Sequence, residues 1–190
     1  LEHTLAWLGS GPGLPLVLDS GCGTAASSRA LIEREPGIRV IAIDRSAARL
    51  GFATDAVSRA ESDRLLLVRA PLEDYWRLLV TAGVRPQRHL ILYPNPWPKP
   101  EHLMRRWHAH PVFPHLLDLG GTIEVRSNWR TYLEEFALAL EIAGGRSTLS
   151  MVETSAVPWS PFERKYRDSG HVLWRLSGTR PASHPIALAR

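Results

Sequence analysis

The residues best suited to chemistry lie in one glycine-rich turn, one acid beyond it and one proline-rich stretch. Asp19-Ser20-Gly21-Cys22-Gly23-Thr24 follows a short apolar run and precedes a helical pattern, which is where open α/β sheets bind ligands. Gly21 and Gly23 permit a tight turn and a close backbone approach to a ligand. Asp44 ends the next apolar run, about 20 residues on, where an acid accepts hydrogen bonds from a ribose. Asn95, set between Pro94 and Pro96, precedes a run of Lys, Arg, His and Trp.

The glycine pattern is ambiguous by itself, because Gly21-x-Gly23-x-x-Ala26 also satisfies a dinucleotide fingerprint. Asp19 separates the two readings. A carboxylate two residues before the first glycine would sit close to a pyrophosphate and repel it. In S-adenosylmethionine that region is an α-ammonium group, which a carboxylate can pair with. The set favours the methyl donor over NAD, and a glycine turn without a ligand is the bland alternative.

Positioning these groups requires strands that end at them. Apolar runs at 16–18, 40–43, 65–68 and 89–93 alternate with helical spacing over 24–35, 46–63 and 72–82. Short buried strands alternating with helices indicate a parallel sheet covered on both faces. Residues 94–100 are too rich in proline for regular structure. Beyond them come strands at 122–125, 148–153 and 172–176 and an amphipathic helix at 132–143. No linker or repeat divides the 190 residues, so the expectation is one α/β domain over 1–190. The chain starts at Leu1, not at a methionine, and 1–13 read as a lead-in that processing or trimming has shortened.

Three segments together resemble the tRNA (guanine-N7-)-methyltransferase family. They are Asp19 to Thr24 with Ile43-Asp44-Arg45-Ser46; Tyr93-Pro-Asn-Pro-Trp-Pro-Lys99 with His102, Arg105, Arg106 and Trp107; and Ser160-Pro-Phe-Glu-Arg-Lys165 with Gly170-His171. The resemblance covers nearly everything from Leu16 onward, and the second and third segments are its specific part. It implies a Rossmann-like methyltransferase fold of seven strands, the last antiparallel and inserted into the sheet, with a guanine of the tRNA variable loop as acceptor. Asp19, Gly21, Cys22 and Gly23 would hold the methionine part of S-adenosylmethionine, and Asp44 with Arg45 the ribose side. Asn95 and Glu163 would act at the reacting base. Lys99, Arg105 and Arg106 would meet the RNA backbone, while Asn128, Ser160 and Glu163 would hold the guanine.

The chain departs from that family in four places. Ala25 replaces a third glycine, which is tolerable if the position is already helical. The stretch Arg69-Ala70-Pro71-Leu72 lacks the acid expected near the adenine, with Glu73 or Asp74 as substitutes. Asn95 and Asn128 each stand where the family has a carboxylate. Guanine N7 carries an in-plane lone pair and no proton, so its methylation needs no general base. Positioning and stabilisation of the growing positive charge carry the reaction, and an amide offers only a dipole toward that charge.

Composition narrows the partners. A formal charge of +4 and a pI of about 9.7 suit a polyanion. Five of seven Trp lie in the second half among cationic residues, an arrangement suited to base stacking; buried core Trp is the plain reading. The single cysteine excludes a disulfide framework and fits a cytoplasmic location, and no apolar run is long enough to span a membrane. His102, His108, His110 and His115 match no zinc spacing, so no metal is expected. The plain readings elsewhere are a turn at Asn95, a solvated basic face at Lys99, Arg105 and Arg106, and an ion pair for Glu163. Two other functions stay open: methylation of a different acceptor, and a catalytically weak RNA-binding homologue.

Overall fold

The computed structural model describes residues 1–11, 13–54, 63–153 and 157–181. Seven strands form one sheet: β1 Leu16–Ser20, β2 Arg39–Asp44, β3 Leu65–Arg69, β4 Arg88–Leu92, β5 Thr122–Ser127, β6 Arg146–Met151 and β7 Trp174–Thr179. Their order is β3-β2-β1-β4-β5-β7-β6. The first five are parallel, and β7 runs antiparallel between β5 and β6. This is the inserted antiparallel strand that the resemblance implied.

Alternate residues of the central strands face opposite layers, as a pleated strand requires. Leu16, Leu18, Ile41 and Ile43 join one core, whereas Val17, Val40 and Ala42 join the other. Helices α4 Leu72–Thr81, α5 Phe113–Asp118 and α6 Arg130–Ile142 supply the first core through Trp76, Leu116 and Phe136. Helices α2 Ala26–Arg34 and α3 Ala47–Thr54 supply the second through Leu31, Ile32 and Leu50. Ser46 caps α3 by accepting a hydrogen bond from Arg49 N–H at 3.3 Å; the rest of the helix expected over 46–63 includes 55–62, which lie outside the described residues.

The lead-in is an element in its own right. Helix α1, Glu2–Ser10, docks on the sheet through Arg39. That guanidinium lies 3.5 Å over the Trp7 ring and donates to Leu8 O at 3.1 Å. Three short helical pieces also went unread in the sequence: a 3-10 segment at Pro100–Arg105 inside the cationic stretch, α5 at Phe113–Asp118, and α7, Pro161–Asp168. Among the described residues no helix is long and apolar enough to cross a membrane.

Candidate active site

Sheet order reverses between β1 and β4, and crevices form outside the carboxyl ends of strands at such a switch point. The loops after β1, β2 and β4 meet there. After β1 the chain turns sharply: Gly21 and Cys22 N–H both donate to Ile43 O, at 2.8 and 3.0 Å. Gly21 and Gly23 have φ of +80° and +59°, and a Cβ on either would meet nothing within 4 Å. Their contribution is a left-handed backbone with an open side.

Ala25 does not follow the expectation that its position is helical. It is the residue before α2, in a left-handed conformation with φ 53°, which costs a non-glycine residue roughly 1–2 kcal/mol. Tyr93 and Trp97, at φ 52° and 47°, share that conformation. All three lie in loops around the crevice, and strain of this kind concentrates at functional sites.

Asp19 is only 1% exposed. Its Oδ2 accepts hydrogen bonds from Ser27 and Ser28, each at 2.6 Å, while its Oδ1 is buried without a partner. Burial pushes its pKa upward, the two serines oppose that, and the charge of Asp44 adds to the rise. Asp44 is itself buried. It fixes the glycine turn, accepting from Gly23 N–H at 3.0 Å and Ser46 N–H at 2.8 Å, with Arg49 3.7 Å away. Beneath them, Ser20 Oγ accepts from Trp76 Nε1 at 3.0 Å and shares a 2.7 Å hydrogen bond with His89 Nε2. Burial pulls the His89 pKa down to about 3, so this layer is neutral. Burial also raises the Cys22 thiol, helped by the charges of Asp19 and Asp44, which makes it an inert wall rather than a nucleophile.

Two adjoining cavities of about 530 and 510 Å³ share Gly21, Arg49 and Asn95 and form one cleft. The first runs past Asp44, Arg45, Glu73 and Trp97. Of the two acids offered as substitutes near the adenine, Glu73 is the one on this wall. The second runs past Asp19, Gly23, Tyr93, Ser160 and Tyr166. Asn95 stands at their junction, exposed, and its Oδ1 accepts from Trp97 N–H at 3.3 Å. It is thus both a turn-former and a cleft residue.

The cationic residues divide. Lys99 is exposed at the start of the 3-10 segment. Arg105 is exposed, lies 4.7 Å over the Trp97 ring and lines the cleft. Arg106 does not belong to a solvent-facing RNA contact. It is 5% exposed and pairs with both Glu135 oxygens at 2.7 and 2.5 Å. It also donates through Nε to Trp97 O at 3.1 Å, so its work is to hold the proline-rich loop.

Glu163 is likewise not among the residues that line the cleft. It is 2% exposed and pairs with Arg126 Nη1 at 3.1 and 3.2 Å. Arg126 is held in turn by Glu124 at 2.7 Å and packs 3.8 Å from the Trp159 ring centre. Ser160 caps α7, accepting from Glu163 N–H at 3.1 Å, and Glu163 Oε2 accepts from Trp159 N–H at 3.4 Å, a variant of the capping box. Glu163 lines a separate cavity beside His171. Asn128 Nδ2 donates to His171 Nδ1 at 3.3 Å, joining two motif segments away from the cleft. Sequence reasoning missed Ser27, Ser28, Arg49, Tyr93 and Tyr166. The serines carried a signal, since a carboxylate on β1 faces the first turn of the helix that follows. Among the described residues, no three His, Cys, Asp or Glu side chains are grouped to hold a metal.

A methyltransferase of Rossmann-like fold is the class these features define. Solved structures share the fold: an antibiotic-related methyltransferase superposes with a TM-score of 0.68 at 15% identity, over 94% of this chain and 93% of its own. The 16S rRNA methyltransferase KamB gives 0.66 at 17% identity over the same shares. The chain belongs to the Methyltransf_4 family, described as "Putative methyltransferase", whose model matches residues 14–176. Curated relatives include the tRNA (guanine-N(7)-)-methyltransferase of Mycobacterium avium (strain 104), 29% identical over 181 residues, 90% of this chain and 67% of that protein. The enzyme of the same name from Treponema pallidum (strain Nichols) is 26% identical over 168 residues, 85% of this chain and 66% of that protein. The chain thus spans about two thirds of these relatives' length.

Proposed function

We propose that the protein transfers a methyl group from S-adenosylmethionine to N7 of a guanine in tRNA. The observation that carries the cofactor half is Asp19 Oδ1, a buried carboxylate oxygen without a partner on a residue that lines the cleft. An α-ammonium there satisfies it, and a pyrophosphate would be repelled by it. Asp44 and Arg45 suit the ribose, and Glu73 the adenine side, since all three line the other arm of the cleft. S-adenosylmethionine supplies a methyl group on a sulfonium centre.

The acceptor half rests on Asn95 at the junction of the two arms and on the curated relatives named above. The guanine N7 lone pair forms the new bond to the methyl carbon while the carbon–sulfur bond breaks, its electron pair staying on sulfur. The base gains one positive charge, and no proton moves. This chain therefore has to hold the base in line, and Asn95 orients it by hydrogen bonding with its amide. Arg105 and Lys99, exposed on the cationic stretch, reach the RNA backbone. The places of Asn95 and Asn128 in the chain keep a second reading open, a cofactor-retaining RNA-binding protein with weak activity.

Incubation with bulk tRNA and methyl-labelled cofactor, followed by nucleoside identification, decides between them. The expected product is 7-methylguanosine. Label in another nucleoside overturns the acceptor, and bound cofactor without transfer supports the RNA-binding reading.

A further inference from the structure

Helix α7 turns one face toward the cleft. Phe162 and Tyr166, four residues apart and so neighbours on that face, both line its second arm together with Asn95. Phe162 is 51% exposed, although nothing in the packing of an eight-residue helix requires a large apolar ring at the surface. The two rings are nearly parallel, 29° apart with centroids at 6.5 Å. Tyr166 continues the row to Tyr93 at 5.9 Å. Tyr93 is held in its left-handed conformation by a 2.8 Å hydrogen bond from its N–H to Arg126 O. Behind the row, Glu124, Arg126 and Glu163 form a cluster with one formal negative charge in excess. Burial first, then the charge of Glu163, pushes the Tyr93 hydroxyl pKa upward.

We infer that Phe162 and Tyr166 form the shelf on which the acceptor base stacks, and that their π faces stabilise the positive charge the base acquires on methylation. The inference rests on the function proposed above and adds to it the groups that answer the charge. Asn95 carries no net charge, and Glu163 is committed to Arg126 at 3.1 Å. An aromatic face attracts a cation through its quadrupole, and a base being alkylated at N7 is a planar cation in the making. The shelf thus occupies the electrostatic role that a carboxylate at position 95 would fill.

The full chain is assayed on tRNA under single turnover with saturating cofactor. Phe162→Leu and Tyr166→Leu keep the apolar bulk and lose the quadrupole. Each is expected to slow transfer by about three- to thirtyfold, whereas Tyr166→Phe, which keeps the aromatic face, slows it less than Tyr166→Leu. Stepwise fluorination of the ring at position 162 changes its shape little and drains its face. A steady fall of rate with fluorine number supports the shelf; a flat series shows a contact that is only apolar and overturns it. In parallel, 7-methylguanosine monophosphate and GMP are titrated into the protein loaded with demethylated cofactor. The wild type is expected to prefer the cationic nucleotide, and the two Leu variants to lose that preference. If the wild type methylates no guanine N7, the parent function fails, and this preference alone then upholds or overturns the shelf. If 7-methylguanosine forms in tRNA yet rates and preference are indifferent to both rings, the shelf fails while the function stands.

Discussion

Asp19→Asn is expected to stabilise the ligand-free protein while weakening its grip on the cofactor. The wild-type carboxylate is 1% exposed, and no cation among the described residues pairs with it. Its support is two serine hydroxyls at 2.6 Å. Burying a carboxylate costs several kcal/mol even after relaxation, and two charge-assisted hydrogen bonds return only part of that. Asparagine keeps an acceptor for the serines and removes the charge, a net gain of roughly 1–2 kcal/mol, or about 2–8 °C in Tm for a domain of this size. Loss of the charged pairing to an α-ammonium costs roughly 1.5–3 kcal/mol, a weakening of about ten- to over a hundredfold. Thermal unfolding with and without cofactor, together with calorimetric titration, reads both signs. The pH dependence supplies an independent check. A carboxylate whose pKa is raised on folding keeps its proton in the folded state above the ordinary value of 3.8. Stability therefore falls as pH rises from that value through the folded pKa, and the variant lacks this decline. A variant that loses stability and binds cofactor as well as wild type refutes the reasoning and leaves Asp19 a purely structural acceptor.

Asn95→Ala should slow transfer about ten- to a hundredfold with cofactor affinity unchanged, and Asn95→Asp should keep or raise the rate on guanine N7; equal rates for Asn95→Ala and wild type would remove the residue from the site. Arg105→Ala should lower the log–log salt slope of tRNA binding by about 0.7–0.9 without changing Tm. Arg106→Ala instead removes a buried cation from a half-exposed Glu135 and should cost about 1.5–3 kcal/mol through its lost charge-assisted hydrogen bonds, seen as a drop in Tm; the opposite assignment of the two effects would refute the division. His89→Gln addresses acid stability. Neutral when folded, with its pKa pulled down to about 3, His89 makes the wild type lose about 1.4 kcal/mol per pH unit as pH falls from the ordinary value toward that figure. The stability difference between variant and wild type should therefore shift by about 2–3 kcal/mol between pH 6.5 and 4.5 in urea titrations, and a constant difference would exclude the histidine.

How much of this was legible in the sequence follows from which interactions are local. Strands β1 to β4 announce themselves because each is a short apolar run closed by a turn, and the periodicity that buries them is visible residue by residue. The glycine turn and Asp44 are equally local, so the fold and the cofactor arm of the cleft could be read. What the sequence withheld depends on pairing across distance. Arg105 and Arg106 are indistinguishable as letters, yet Glu135 on α6 takes one of them out of solvent. Glu163 reads as an available carboxylate until Arg126, 37 positions away, claims it. The helical spacing from 24 onward predicts a helical Ala25. Its left-handed backbone is set by the turn before it, where Ala25 N–H donates to Cys22 O at 2.9 Å.

That strain connects motifs that look separate in the chain. Ala25, Tyr93 and Trp97 each hold a conformation that an L-residue leaves unless its surroundings over-determine it. Tyr93 N–H is tied to β5 through Arg126 O at 2.8 Å, and Trp97 O is tied to Arg106 Nε at 3.1 Å. Arg126 and Arg106 are the two cations that Glu163 and Glu135 neutralise. The Arg106–Glu135 pair therefore braces the bond to Trp97 O, and the β5 backbone anchors Tyr93, with Asn95 midway between the anchored positions. A residue such as Glu163 can be indispensable to transfer without touching the base. Its loss would leave Arg126 Nη1 and Trp159 N–H without their carboxylate partner at the start of α7, the helix that carries Phe162 and Tyr166, while Glu124 still holds Arg126.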